Sequence, residues 1–434
     1  MRRLLAALAG FGALLVAAPA ARAWELETHV GLTHRAALAS RVDAWLRARG
    51  LDAGLYEIIA LGDRALLGEL ALVDAALGVT PDRARQPALA WLLAGAALEG
   101  ARMDRVRHHF VDPRTGGGLD EDDAAGTVRG LFTGASFDGT GMRADRWLDA
   151  ATNALSRPRL LDDLERAAAA EQPAEREAAL ARALVCAGAL AHVLEAVGDP
   201  AHARGDFAVN YGAAGAPLER WARDRYGLAV PAPAPRGPAP ARLASFVTAP
   251  DGSGLADEVA RAFLSPGTLP GGGRALAAPP LELGREPSGV VAGPWVRTLV
   301  GYRRTGRGVE YTFTPAALAE ATDALLPRIA ARAASLLDFL FRDAIAIRRD
   351  GDGLTVAVGA EALGRGRFAL FAEQPDGRRT RLLERETRGG AAGTALAELD
   401  AAAAKAFAGA RRVVALYRGV DAAGEPIVAS AAAR

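Results

Sequence analysis

Apolar residues recur at three- and four-residue spacing through Leu32–Leu46, Tyr56–Leu77, Leu89–Leu98 and Ala179–Val197, the stripe expected of helices that bury one face or more. Gly50, the Pro81 region, the Gly116–Gly118 run and Pro200 punctuate these segments. Pro231–Ala241 reads PAPAPRGPAPA, too rich in proline for a helix or a central strand, and predicts an extended surface loop. A second loose stretch is Ser265–Gly273. The helical period returns at Thr314–Arg342, with Thr314 as the cap and Pro315 at the first helical position. Beyond it the period changes to two. Leu354–Val358, Arg367–Phe371, Val413–Tyr417 and Pro426–Ser430 read as short strands with Gly- or Asp-Gly-rich turns, and Ala391–Gly409 as a loop plus helix between strands. The pattern predicts a mainly α protein: a helical body followed by a small C-terminal β-sandwich, immunoglobulin-like, for which about 90 residues is the right size. The boundary falls near residue 344, and no internal repeat is visible.

The first residues predict an export signal. Arg2 and Arg3 form a positive start, Leu4–Ala18 an apolar run too short for a spanning helix, and Ala21-Arg22-Ala23 a small-x-small cleavage site. The expected division is a signal peptide at 1–23, a helical domain at 24–343 and a β-sandwich at 344–434. Cleavage leaves Trp24 as the new amino terminus. It also removes three arginines, so that 49 basic residues of the original 52 face 51 acidic ones, a charge of −2. No later apolar run reads as long and uninterrupted enough to cross a bilayer. The expectation is an exported soluble monomer, secreted or periplasmic. With 24% charged and 50% hydrophobic residues among 434, the chain is not a disordered one. It lacks the basic field that duplex DNA calls for. A single cysteine, Cys186, excludes an intrachain disulfide framework and any cysteine-based zinc finger.

Chemistry is concentrated in the first half. All six histidines (His29, His34, His108, His109, His192 and His202) precede residue 203. His109 ends a helical stretch, and His192 and His202 bracket a helix end. On one helix His192, Glu195 and Asp199 would share a face, with Pro200 turning His202 back toward it. Imidazoles and carboxylates converging from several helices suit zinc, and with no usable thiolates the cluster points to catalysis with an open position for water. Other features read more plainly. Cys186 is expected to be a buried packing residue, Asp120-Glu121-Asp122-Asp123 a solvated loop, and Trp45, Trp91 and Trp147 core residues. Gly116-Gly117-Gly118 lacks the Lys-Ser/Thr of a phosphate loop, and no Gly-x-Ser-x-Gly elbow occurs.

These residues resemble the bacterial zinc-dependent phospholipase C and single-strand-specific nuclease family, whose helical fold holds up to three zinc ions. Trp24-Glu25-Leu26-Glu27-Thr28-His29 resembles the family's mature start, where the amino group and carbonyl of Trp bind zinc. Gly95, Ala96 and Glu99 resemble its next acidic motif, and His109-Phe110-Val111-Asp112-Pro113 its His-Phe motif. His192 and His202, with Pro200 before the second, resemble its His-x3-Asp…Pro-x-His signature, and Asp206-Phe207 and Glu219-Arg220-Trp221 resemble the stretch after that signature. Three positions depart: Ala196, Gly100 and Gly215 stand where the family has an aspartate, an aspartate and a histidine. The resemblance implies a zinc-dependent phosphodiester hydrolase, phospholipase C-like, binding fewer ions than the family's three. The ligands it implies are Trp24, His29, His109, His192, His202 and Glu219, with Glu99, Glu195, Asp199 or Asp206 completing the shells. The resemblance likewise implies that Glu99 would be the catalytic carboxylate that orients the nucleophile. Phospholipid, with peripheral membrane contact, is the first substrate and single-stranded nucleic acid the second. The remaining alternative is a degenerate exported binding or scaffold protein. The tail carries no catalytic constellation and takes a packing, stability or surface-targeting role.

Overall fold

From Leu26 the chain runs through α1 (Leu26–Ala39) and α2 (Val42–Ala48), a short strand β1 (Ile58–Ala60), α3 (Arg64–Ala76), β2 (Arg85–Pro87) and α4 (Ala88–Ala101). A single turn at Met103–Val106 and another at Ala144–Trp147 lead to α5 (Arg157–Ala169) and the long α6 (Pro173–Ala196). A turn at Pro200–Ala203, α7 (Pro217–Tyr226) and α8 (Leu255–Ala262) precede a three-stranded antiparallel sheet, β3 (Ser288–Val291), β4 (Val300–Thr305) and β5 (Gly308–Thr312), and then α9 (Pro315–Leu340). This computed structural model describes residues 26–76, 84–113, 116–119, 141–206, 216–270, 279, 281–350, 353–399 and 409–433. The expected signal segment, Trp24, Asp120–Asp123, Phe207, Gly215 and Gly271–Gly273 lie outside the described residues.

The centre of the helical region is the crossing of α4 and α6. A Cβ at Gly95 would stand 1.9 Å from the carbonyl oxygen of Val185, and one at Gly188 would stand 1.9 Å from that of Leu92. The two backbones therefore touch at a pair of facing glycines. Nearly every residue of α6 from Ala179 onward is buried, so the helix is apolar all round, with no polar face. By length and composition α6 is the one described helix apolar enough to cross a membrane. This corrects the expectation that no later run would qualify, and 83% of its most apolar window is buried inside the protein.

Two expected helices are interrupted. Leu32–Leu46 breaks at Ser40, whose hydroxyl bonds the carbonyl of Ala37 and accepts from Val42 N, substituting for the helical ladder. Tyr56–Leu77 contains strand β1, paired with β2, before α3 begins. Gly62, at φ 66°, turns the chain between them, and Asp63 accepts from the amide of Leu66. The sheet β3–β5 falls in a stretch that carried no strand expectation. Helix α9 starts as predicted, with the Thr314 hydroxyl accepting from Ala317 N and Pro315 first in the helix.

The C-terminal strands are β6 (Ile345–Asp350), β7 (Gly353–Val358), β8 (Leu363–Glu373), β9 (Arg379–Thr387), β10 (Ala395–Leu399), β11 (Arg412–Asp421) and β12 (Pro426–Ala433). One sheet has the order β10-β7-β6 and the other β12-β11-β8-β9, all antiparallel. First, second and fifth strands in one layer and the rest in the other is an immunoglobulin-like sandwich order. Val356, Phe368, Leu370 and Tyr417 belong to an apolar core between the layers. Alternate residues of the four-stranded sheet, Ala369, Phe371, Val414, Leu416 and Val428, point the other way and join the core of the helical region. Strand β10 stands where a loop plus helix was expected.

Candidate functional site

One turn beyond their glycine crossing, α4 and α6 deliver Glu99 and His192 to the same buried place, four residues after Gly95 and Gly188. His192 is 1% exposed, and Glu99, His29 and His109 are 0% exposed. His29, from α1, stacks on His192 with ring centroids 3.7 Å apart, and His109 approaches from another side at 5.1 Å. His29 Nδ1 lies 3.0 Å from Glu195 Oε2, while the Thr33 hydroxyl, one turn along α1, donates to Glu195 Oε1 at 2.8 Å. Three imidazoles and two carboxylates from four segments are thus buried in one neighbourhood.

Glu99 is held by three donors. Trp147 Nε1 donates to Oε1 at 2.8 Å, Arg105 Nη1 donates to Oε2 at 3.1 Å, and His109 Nε2 lies 3.2 Å from Oε1. Burial pushes its pKa up. His109, Arg105 and Trp147 outweigh that and leave the carboxyl below its ordinary value. As placed, Glu99 orients His109. Burial drives His192 well below the usual imidazole range, and its neighbours His29, His109 and His202 add to the shift, so it is neutral. Among the described residues both of its ring nitrogens are buried without a hydrogen-bond partner, with the Ala96 backbone near enough to oppose that shift. His109 Nδ1 is likewise unpartnered. Glu195 is pushed well above its ordinary value by burial, against the Thr33 hydrogen bond.

His202 joins through the backbone. Its Nδ1 lies 3.1 Å from the carbonyl oxygen of His109, Val111 N donates back to His202 O, and the ring stacks on Phe110. Burial lowers its pKa to about 3. An Nδ1–H given to a carbonyl fixes the tautomer with the lone pair on Nε2, the arrangement that orients metal-ligating histidines.

The carboxylates beyond α6 form a second group. Helix α6 ends at Ala196, so Asp199 does not continue its face. It caps the turn at Pro200–Ala203, accepting from Ala201 N at 2.6 Å. Glu195 therefore faces His29 and Thr33, whereas Asp199 faces Glu219 of α7, with Asp206 nearby. Burial raises Asp199 to about 6, the Glu219 side chain and the Ala201 amide opposing the shift and Asp206 adding to it. Asp206 Oδ2 accepts from Gly267 N at 2.7 Å.

The histidines that were not expected as ligands sit apart. His108 stacks on Trp147 at 4.0 Å and accepts from Met142 N, and burial together with Arg107 lowers its pKa to about 4. His34 is partly exposed. Thr33, Arg105 and Trp147 were not expected at the site. Thr33 alone had a usable signal, its place one turn after His29. Trp147 was read as core; it is buried, but with its indole N–H committed to Glu99. Cys186 is buried, and burial pushes its thiol well above the ordinary range, in keeping with a packing role.

No three of the His, Cys, Asp and Glu side chains among the described residues stand close enough together to enclose a metal. Their chemistry nevertheless suits zinc: a neutral imidazole on His192 whose ring nitrogens have no hydrogen bond among the described residues, a buried His109 Nδ1 without one, and the buried carboxylate of Asp199. Gly100 is filled from outside. A Cβ there would lie 2.4 Å from His192 Cε1, so the imidazole occupies the space a side chain at this position would take.

No known family profile matches the chain, and no curated protein matches it. Among solved structures it is similar to the alpha-toxin of Clostridium absonum, with a TM-score of 0.29 and 11% identity over 93% of this chain and 91% of that one. It is also similar to the alpha-toxin of an avian strain of Clostridium perfringens, with a TM-score of 0.28 and 10% identity over 93% of this chain and 96% of that one. At these scores the likeness describes an outline, and the chemistry is read from this chain's own side chains.

Proposed function

We propose that the protein is an exported zinc-dependent phosphodiester hydrolase of the phospholipase C type. The observation that carries this reading is His192, an imidazole buried against His29 and His109 with neither ring nitrogen hydrogen-bonded among the described residues. Leaving a polar atom so placed costs about 1–3 kcal/mol, and a cation at one nitrogen offsets that cost. His29, His109, His192 and His202 would supply the nitrogen donors and Asp199, Asp206 and Glu219 the oxygens, with the amino end at Trp24, as the family resemblance implies, completing the set. Bound zinc supplies Lewis acidity toward a phosphodiester oxygen and acidifies a coordinated water.

The chain's own residues prepare the site. Arg105 and Trp147 keep Glu99 ionised, Glu99 turns His109 so that Nδ1 faces inward, and the His109 carbonyl sets the tautomer of His202. Asp199, with its pKa raised to about 6, exchanges its proton near neutral pH, as an oxygen donor or a proton acceptor requires. In this reading Glu99 takes the catalytic role only by exchanging one of its three donors for the nucleophile. Phosphatidylcholine, cleaved on the head-group side, is the first substrate.

A second reading, a non-catalytic exported scaffold, is favoured by the His192 ring filling the space at Gly100 and by Glu195 being committed to His29 and Thr33. Side-by-side assays with zinc decide between them. Phosphatidylcholine dispersions should be hydrolysed to a phosphorylated head group, and His192→Ala should lose at least about 100-fold of that rate, roughly 2.7 kcal/mol. Hydrolysis of single-stranded DNA alone would move the reading to a nuclease. A folded protein inert on both would favour the scaffold.

A further inference from the structure

Between the helices and the four-stranded sheet lies an open cavity of about 310 Å³, far from the histidines, with arginines converging on it. Behind the lining, one buried carboxylate serves three of these guanidiniums. Glu373 is 1% exposed. Its Oε1 takes Arg412 Nε at 2.7 Å, its Oε2 takes Arg379 Nε at 3.0 Å, and Arg176 Nη2 stands 3.7 Å from the same oxygen. Arg49 also lines the cavity, stacked on Trp45 with its guanidinium carbon 3.7 Å from the ring centroid, paired with Asp343 at 3.0 Å and donating to Ser430 and to the Trp45 carbonyl.

The rest of the lining does not balance this charge. At the rim Arg85 and Glu177 pair at 2.7 Å and cancel, and Glu57 at the mouth gives one oxygen to the amide of Ala53. Three lining cations, Arg176, Arg379 and Arg412, share one buried anion, Glu373. Burial lowers Arg49 to about 10, and burial with the neighbouring Arg176 lowers Arg379 to about 10. The guanidiniums also bond carbonyls across the seam. Arg412 reaches Arg49 O, Arg176 reaches Gly377 O, and Arg379 reaches the end of α5 at Ala168 O. Those bonds hold their planes fixed. Two donors remain without an acceptor among the described residues, Arg412 Nη2 and Arg176 Nε.

A seam needing only adhesion would match cations to anions, as it does elsewhere, where Arg418 meets both Asp162 and Glu165, and Arg157 meets Asp149 and Glu425. Here the excess is positive, partly desolvated and placed around a space. Burying unpaired charge is expensive, and a planar guanidinium fork matches an oxyanion. We infer that this cavity is a binding site for a phosphate group, either free or as a phosphate monoester at the end of a lipid, held by Arg176, Arg379 and Arg412 and closed by Arg49.

The test leaves the ion pairs in place. Ala432, half-buried on β12, lines the cavity, so Ala432→Glu puts a carboxylate into it while Ala432→Gln adds the same bulk without charge. Inorganic phosphate and pyrophosphate are titrated calorimetrically into the full chain. In parallel, vesicles of phosphatidylcholine with and without phosphatidic acid are sedimented with it. The expected result is salt-sensitive binding of pyrophosphate or of phosphatidic acid vesicles. It should weaken at least about tenfold in Ala432→Glu, stay within about threefold in Ala432→Gln, and persist in His192→Ala. Binding in the soluble arm identifies a free phosphate; binding only in the vesicle arm identifies the lipid head group. No binding in either arm, equal binding by folded Ala432→Glu, or loss in His192→Ala with Ala432→Glu intact would overturn the inference.

Discussion

His192 and Gly100 decide each other's chemistry. The imidazole can lie against α4 because residue 100 has no side chain, and the absent side chain is the aspartate that the family resemblance led one to expect. Restoring it would not restore a site. A Cβ at residue 100 falls 2.4 Å from the ring, inside any allowed contact. Gly100→Asp should therefore destabilise the fold by about 1–3 kcal/mol, the usual cost of overpacking, and displace His192. Urea unfolding checks the first claim. A folded variant of unchanged stability would show that the ring has somewhere else to go. The histidines themselves were legible in the sequence, because so few polar residues of one kind in one half of a chain ask for a common reason. Their partners were less so. Nothing in the spacing of Trp147 announces a hydrogen bond to Glu99 across 48 positions, since a buried tryptophan in a helical run reads as core.

At the scale of elements, the site is placed by α4 crossing α6 at Gly95 and Gly188. Glycine inside a helix costs about 1 kcal/mol of propensity, and here the cost is offset by backbone contact that brings Glu99 and His192 within one turn of the crossing. A side chain at Gly188 would meet the Leu92 carbonyl at 1.9 Å. Gly188→Leu is expected to force the helices apart, lowering stability by about 3 kcal/mol or more and abolishing zinc binding with no candidate ligand altered. Circular dichroism melts and metal retention read both effects, and retained zinc in a stably folded variant would refute the placement argument. Long helices and their caps were predictable from periodicity, as at Thr314-Pro315. Strand β1 was not, because a short pair of β-branched residues, Ile58 and Ile59, inside a helical stretch gives no period of its own, and β3, β4 and β5 are only four to six residues each. Strand β9 was missed for another reason. It lies at the edge of its sheet, and its arginines and glutamates are largely exposed, so it carries charges where an alternating apolar face would otherwise reveal it.

The whole molecule is a helical body and a sandwich joined along a seam. The change of period near residue 344 announced the sandwich, and its seven strands occur where that change begins. How it sits on the helices was not legible, because the joining residues, Arg49, Arg157, Glu165, Glu373 and Arg418, are separated by hundreds of positions and look like ordinary surface charge. We propose that residues 344–434 form a unit with its own core, built on Phe368, Leu370 and Tyr417. Expressed alone, that segment should show a β-type spectrum and a single cooperative melt. A featureless, non-cooperative trace would mean that Val414, Leu416 and Val428 need the helices to fold at all.

The central claim is that the buried histidines serve a metal, and it is tested most directly by counting metal in protein purified with Trp24 as its native amino terminus. The account predicts at least one zinc per chain, reduced when residues remain upstream of Trp24 and lost in His192→Ala. Less than one zinc per chain in the native-ended protein would contradict it.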